Sequence, residues 1–356
     1  MKYTMLKNVC SIKMGQSPAS DSYNDNGEGV PFFQGNADFG ERYPVARKWC
    51  SAPMKMAEPE DILISVRAPI GALNYAKEEC CIGRGLAALT PNKSKVSPEF
   101  MFWLLKGKNT ELNSKGTGST FKAIGRKVLE EILVPDIGIE QQAEYSAILE
   151  KINGIIQLRK HELQKLDELI KARFVEMFGD ETEFDRWPCC TISDIANVCV
   201  GVVIKPTQYY TDKSKGIPAF RSLNIGEMCV KDDDWVYFTE EGHQKNQKSI
   251  IHKNDVLVVR SGAPGTACVV TEKYDGYNAV DIIIAHPDNK KINSIFLAAF
   301  TNMPHGMNQI RERTGGAAQK HFNVGGYKAL QIIMPSLDLQ KQFANFVKKT
   351  NKSKVA

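Results

Sequence analysis

Between residues 138 and 178 apolar side chains return every three or four positions: Tyr145, Ile148, Ile152, Ile155, Leu163, Leu166, Ile170, Phe174 and Met177. Lys160, Glu162, Lys165, Asp167, Glu168 and Lys171 fall off that line. One apolar face on a charged segment predicts a long amphipathic helix in need of a helical partner. Roughly 40 residues at ~1.5 Å each make a rod of ~60 Å. Asn153-Gly154 is its weak point, since glycine costs roughly 1 kcal/mol against alanine, and Gly179-Asp180 supplies the stop. A second such pattern, Leu339, Phe343, Phe346 and Val347, closes the chain in a segment less than half as long. A helix that short is marginal alone in water, so it is expected to pair with the long one.

The rest of the chain reads differently, and it reads the same way twice. Short apolar runs, such as residues 62–66 and 132–134, lie between Gly/Pro/Asn/Asp clusters in a strand-and-turn pattern. Asp61-Ile62-Leu63-Ile64-Ser65-Val66-Arg67-Ala68-Pro69-Ile70-Gly71 returns as Asp255-Val256-Leu257-Val258-Val259-Arg260-Ser261-Gly262-Ala263-Pro264-Gly265. Ser97-Pro98-Glu99, with an N-cap, a proline at the first helical position and an acid in the first turn, opens a helix. Asn293-Ser294-Ile295 opens its counterpart. Internal repetition therefore predicts two similar mixed modules, an α+β fold, each followed by a helical segment.

Composition changes this picture little. At 356 residues there is room for two domains with cores of their own, and 42% hydrophobic with 24% charged residues is ordinary for a globular chain. No stretch has signal-peptide character or the roughly 18 to 20 apolar residues of a membrane span, so a cytoplasmic location is expected. The nine cysteines include the adjacent pairs Cys80-Cys81 and Cys189-Cys190 but no C-x-x-C, which favours reduced, structural thiols. Six scattered histidines form no H-E-x-x-H, and no metal site is expected. The chain has no N/D-P-P-Y/F motif, no Rossmann glycine fingerprint after a strand and no G-x-x-x-x-G-K-[ST] loop. Pro287-Asp288 lacks a downstream E-x-K partner. These absences argue against methyl transfer, ATP hydrolysis or DNA cleavage by this chain, and a net charge of +5 is a mild bias toward polyanions.

Two further pieces complete the repeat. Gly116-Thr117-Gly118-Ser119-Thr120-Phe121-Lys122 precedes Leu133-Val134-Pro135 and Glu140-Gln141-Gln142. Thr314-Gly315-Gly316-Ala317-Ala318-Gln319-Lys320-His321 precedes Met334-Pro335 and Gln340. In this duplicated order the chain resembles, over essentially its whole length, the specificity subunit of a type I restriction-modification system. The resemblance implies target recognition domains at residues 1–137 and 181–336, a central helical spacer at 138–180 and a distal helix at 337–356 that pairs antiparallel with it. It implies a non-catalytic reader of double-stranded DNA, each domain contacting one half of a bipartite target. It further implies docking of two modification (methyltransferase) subunits on the helices, with restriction (endonuclease and translocase) subunits completing the complex. S-adenosylmethionine, ATP and Mg²⁺ would be bound by those partners, and no cofactor by this chain. The short distal helix departs from the family, where the two helices are usually of similar length.

Sequence is read by donors and acceptors matched to base edges, Arg or Lys to guanine and Asn or Gln to adenine, while phosphate contacts fix position. Loop residues of those types are the candidates. In the first module they are Gln34 and Asn36 after the run Val30–Phe33, Arg67 after a strand, and Lys115, Thr117, Ser119, Thr120 and Lys122 around the Gly-rich loop. In the second they are Arg221, Ser222 and Asn224, then Arg260 and Ser261, then Arg311, Arg313, Gln319, Lys320 and His321. The plainer account is that the glycines make turns and the charges are solvated, and Arg67 and Arg260 can equally pair with a carboxylate inside the fold. For the helices, Tyr145, Ile148, Ile152, Ile155, Leu163, Leu166, Ile170 and Phe174 are expected to meet Leu339, Phe343 and Phe346, leaving part of the longer stripe uncovered for the modification subunits. A duplicated protein- or carbohydrate-binding scaffold is the alternative reading.

Overall fold

The computed structural model describes residues 2–118, 122–314 and 321–355. Its contacts divide the chain into two units, Met1–Leu158 and Arg159–Ala356.

In the first unit, β1 (Tyr3–Met5), β2 (Cys10–Met14), β3 (Val30–Phe33), β4 (Ile62–Ser65), β5 (Leu73–Tyr75), β6 (Cys80–Ile82) and β7 (Leu86–Pro91) precede α1 (Pro98–Gly107). β8 (Leu133–Pro135) follows and pairs antiparallel with β1. The main sheet has the order β2-β7-β4-β5, all antiparallel, and β3 pairs parallel with β6 in a second sheet. Successive residues of β4 enter different cores: Ile62 and Ile64 pack with Phe100, Met101 and Leu105 of α1, whereas Leu63 packs with Phe33 and Ile82. A strand buried on both faces explains why residues 62–66 show no apolar-polar alternation.

The second unit repeats this plan. β9 (Cys189–Thr191), β10 (Ala196–Val200), β11 (Ile217–Phe220), β12 (Val256–Val259), β13 (Ala267–Val269), β14 (Asn278–Ala279) and β15 (Ile282–Pro287) lead to α3 (Ser294–Asn302), α4 (Pro304–Arg313) and β16 (Gln331–Ile333). The sheet order is β10-β15-β12-β13, β9 pairs with β16, and β11 runs parallel to β14. Val256 and Val258 face the core with Phe296 and Phe300, while Leu257 and Val259 face that with Phe220 and Ile284.

The repeated motif is a turn that launches a strand. Asp61 accepts the Glu58 backbone N–H at 2.9 Å and the Thr90 hydroxyl at 2.7 Å. Asp255 accepts the His252 N–H at 2.6 Å and faces His286 Nδ1 at 2.8 Å. Gly71 and Gly265, which close the motif, have φ of +84° and +94°, and a Cβ there would lie 2.7 Å from Asn109 and Met307 respectively. The positive φ is what calls for glycine at both positions, since the atoms a Cβ would meet are side-chain ends.

The long helix, α2, runs unbroken through Asn153-Gly154 over Ile139–Phe178 and ends at Gly179, φ +88°. Its first half belongs to the first unit and its second half to the second. The distal helix α5 is Leu337–Val355, 19 residues against 40. Within the second unit the two run antiparallel: Phe174 and Phe178 pack on Phe343 with ring centroids 5.4 and 5.7 Å apart, Lys354 reaches Asp167 at 2.5 Å, and Arg159 donates to the Lys354 carbonyl at 3.0 Å. Ile170 and Phe174 are buried here, and Leu163, Leu166, Leu339 and Phe346 are half-buried. Among the described residues no helix is long and apolar enough to cross a membrane.

Candidate nucleic-acid interface

At one end of the first unit's main sheet three loops lie edge to edge. Gln34, exposed at the end of β3, approaches the β6–β7 connection so closely that a Cβ on Gly85 would sit 2.3 Å from the Gln34 carbonyl oxygen. Gly85 in turn accepts the Val66 N–H at 2.9 Å, and Arg67 then bridges to Ala123, which pairs on its other side with Thr117. Gln34, Arg67, Thr117 and Lys122 are thereby brought onto one rim, all exposed, with Asn36 half-buried beside them. Arg67 and Lys122 have no ion pair among the described residues. Lys115 is held by Glu111, 2.7 Å away, whose carboxyl is drawn down to about 2 by hydrogen bonds from Lys108 and Lys115. Ser119 and Thr120 lie outside the described residues.

Arg84 belongs to the same rim and escaped the sequence reading. It is exposed in the connection between β6 and β7, its backbone N–H on Ser17 Oγ at 3.4 Å, and has no ion pair among the described residues. Its signal was Gly83-Arg84-Gly85, a cation between two glycines, where the second unit has Val280-Asp281.

In the second unit the corresponding loops are spent differently. The turn after β11 is built like the one after β3: the Arg221 N–H donates to Asn224 Oδ1 at 2.8 Å as the Gly35 N–H donates to Asp38 Oδ2 at 3.3 Å. Asn224 is fully buried and its amide donates to the Asp233 carbonyl at 2.7 Å, which makes it the brace of this loop rather than a group facing a base. Arg221 is paired with Asp234 at 2.9 Å, and Ser222 is half-buried beside it. Arg260 is only 8% exposed, bound to Asp281 at 2.6 Å and to the Phe322 carbonyl at 3.2 Å, with His321 against its other terminal nitrogen. Of the two accounts of Arg260, the internal ion pair is the one this structure has. Ser261 Oγ meets His321 Nδ1 at 2.8 Å, across a bridge that matches Arg67 to Ala123. Arg311 and Arg313 are exposed at the end of α4, Arg313 on the Gln309 carbonyl at 3.0 Å. Gln319 and Lys320 lie outside the described residues. Among the described residues no group of three or more His, Cys, Asp or Glu is arranged to hold a metal ion.

The first half of α2 presents a second surface. Tyr145, Ile148, Ile152 and Ile155 are 39%, 48%, 47% and 66% exposed. Tyr145 and Ile148, with Leu149, face Phe100, Trp103 and Leu104 of α1 across a largely apolar cleft of about 850 Å³.

Both units match the family model described as the type I restriction modification DNA specificity domain, over residues 1–168 and 186–355. The chain belongs to that family. It is 44% identical over 160 residues to a Methanocaldococcus jannaschii protein described as a specificity subunit of type I restriction enzyme MjaX, a match that spans 45% of this chain and 38% of that one. The chain thus spans well under half of that relative. The specificity subunit of the Escherichia coli type I restriction enzyme EcoBI is 21% identical over 96% of this chain and 77% of its own length. The crystal structure of the S subunit of a type I restriction-modification system from M. genitalium shares the fold at a TM-score of 0.55 and 13% identity, covering 99% of this chain and 90% of that one. The specificity domain therefore occurs here twice, and the duplicated turn, strand and helix starts are its two copies.

Proposed function

We propose that this chain is the DNA-reading subunit of a type I restriction-modification complex, each specificity domain contacting one half of a bipartite duplex target. What carries the reading is one family's DNA specificity domain present twice in a single chain, each copy with loops gathered at the matching end of its main sheet. In the first unit, Arg67, Arg84 and Lys122 supply cations with no ion pair among the described residues, suited to phosphate or guanine, and Gln34 and Asn36 supply amides suited to adenine. In the second unit Ser222, Ser261, Arg311, Arg313 and His321 are the groups on hand. The apolar cleft beside Tyr145 and Ile148 is the place for a modification subunit, with S-adenosylmethionine, ATP and Mg²⁺ chemistry on partner subunits.

The test has two arms. Duplex binding by the chain with its neighbouring methyltransferase should weaken steeply with salt, because neutralising phosphates releases counterions. Methylation mapping in a host expressing both should return a split motif. Salt-insensitive binding would point instead to a protein- or carbohydrate-binding scaffold, and a continuous motif would refute two-site reading.

A further inference from the structure

Three neighbouring strands of the second unit each place one polar side chain on the same patch. Cys199 lies on β10, His286 on β15, and Asp255 launches β12. His286 Nδ1 is 2.8 Å from Asp255 Oδ1, and its Nε2 is 3.6 Å from Cys199 Sγ. A nucleophile, a base within reach of it and a carboxylate that orients the base form the arrangement that activates side-chain nucleophiles. Asp255 is 4% exposed and held in place by the His252 N–H, so the imidazole is anchored from a rigid point. The His286 side chain is 30% exposed and Cys199 half-buried, which leaves the pair open to small reagents.

The fold does not require this constellation. In the first unit the same register positions hold Lys13 on β2 and Thr90 on β7, and Asp61 takes the Thr90 hydroxyl at 2.7 Å. The aspartate serves the turn in both copies, whereas the thiol and the imidazole occur in one. Nor do they serve DNA reading as proposed above, since neither is among its loops.

We propose that Cys199 is a site of covalent modification, a thiol that reacts through His286 and Asp255 with soft electrophiles, peroxides among them. With hydrogen peroxide the sulfur lone pair attacks one oxygen and the O–O bond breaks. The thiol, which also lies 3.4 Å from the Lys248 carbonyl, gives up its proton by way of His286 Nε2, and that proton leaves with the departing hydroxide as water. Sulfur is oxidised to the sulfenic acid and the peroxide is reduced, so the two electrons balance. Asp255 acts as a positioning residue, fixing the ring so that Nε2 faces sulfur.

Iodoacetamide labelling of the full chain at neutral pH, read site by site by peptide mass mapping, tests this. Cys189 and Cys229 are exposed, and burial of their thiols pushes both upward. They serve as internal controls, and Cys199 should label about tenfold faster than either, as expected when a neighbouring imidazole activates a thiol. His286→Thr, which installs the pair Asp61 and Thr90 already form in the first unit, should bring Cys199 down to the rate of the controls with the circular dichroism unchanged. Cys199 labelling no faster than Cys229 would overturn the proposal without any variant. So would an unchanged Cys199 rate in a folded His286→Thr or His286→Gln chain.

Discussion

The helix that leaves the first unit and the helix that closes the second begin in the same way and end in different surroundings. Gln142 accepts the Ser97 N–H at 2.9 Å and donates to the Ile137 carbonyl; Gln340 accepts the Asn293 N–H at 2.8 Å and donates to the Pro335 carbonyl. Each glutamine therefore locks its helix to the start of the preceding domain helix, and both are essentially fully buried. Three, six and seven residues on come Tyr145, Ile148 and Leu149 in one and Phe343, Phe346 and Val347 in the other. Phe343 is buried with Phe174 and Phe178 packed on it and Val347 lies in the same core, whereas Tyr145, Ile148 and Leu149 are 39–48% exposed. Identical local construction gives a finished core only where a further helical segment arrives. The open copy is thus the one with a surface to offer, which is why the cleft beside α1 is proposed to take a partner.

That contrast can be broken by mutation. Phe174→Ala should cost about 3 to 5 kcal/mol in urea unfolding of the second unit, the range for a buried aromatic. Ile148→Ala should cost less than about 1 kcal/mol in the first, because much of its side chain already meets water. Equal costs would mean that the first-unit face is covered as well. Arg260→Ala should destabilise by about 2 to 3 kcal/mol through the stranded Asp281 and Phe322 carbonyl. Arg67→Ala should leave stability within about 0.5 kcal/mol, and on the proposed function it should lower the salt slope of DNA binding by about 1.

A subtler difference separates Thr90 and His286 on their aspartates. His286 is raised from 6.5 to about 10, chiefly by its hydrogen bond to Asp255 and then by Cys199. A group whose folded value lies above its unfolded one adds stability that is fully present below the unfolded value. The contribution is lost as pH climbs through the folded one. The second unit should therefore melt progressively lower between about pH 6.5 and 10, and His286→Thr should flatten that slope, as followed by thermal denaturation across that range.

The comparison also shows what a sequence can and cannot disclose here. The long helix, its glycine stop and the helix starts at Ser97 and Asn293 were legible because their determinants are local: spacing, caps and a positive φ. The duplicated turn was legible for the same reason. Arg67 and Arg260 were misleading as a pair. They sit one register position apart, Arg67 matching Ser261 and Arg260 matching Val66, and neighbouring residues at a strand end point to opposite faces. One is therefore exposed and the other buried. Asn224 reads as a loop amide, yet the turn closes over it, and that depends on the distant Asp233 carbonyl. Arg84 was passed over because its place on the rim is set by the close approach of Gly85 to Gln34, a contact between segments far apart in the chain. The roles of Gln142 and Gln340 were hidden likewise: their repetition was visible, but not the domain helices they hold.

The central claim is that each specificity domain reads its own half of the target. Its most direct test is methylation mapping after Arg67, Arg84 and Lys122 are replaced together by alanine in the chain coexpressed with its methyltransferase. The account predicts that the half-site read by the first unit loses definition while the other half-site keeps every base. Loss of sequence preference in both halves together, or no change in either, would contradict it.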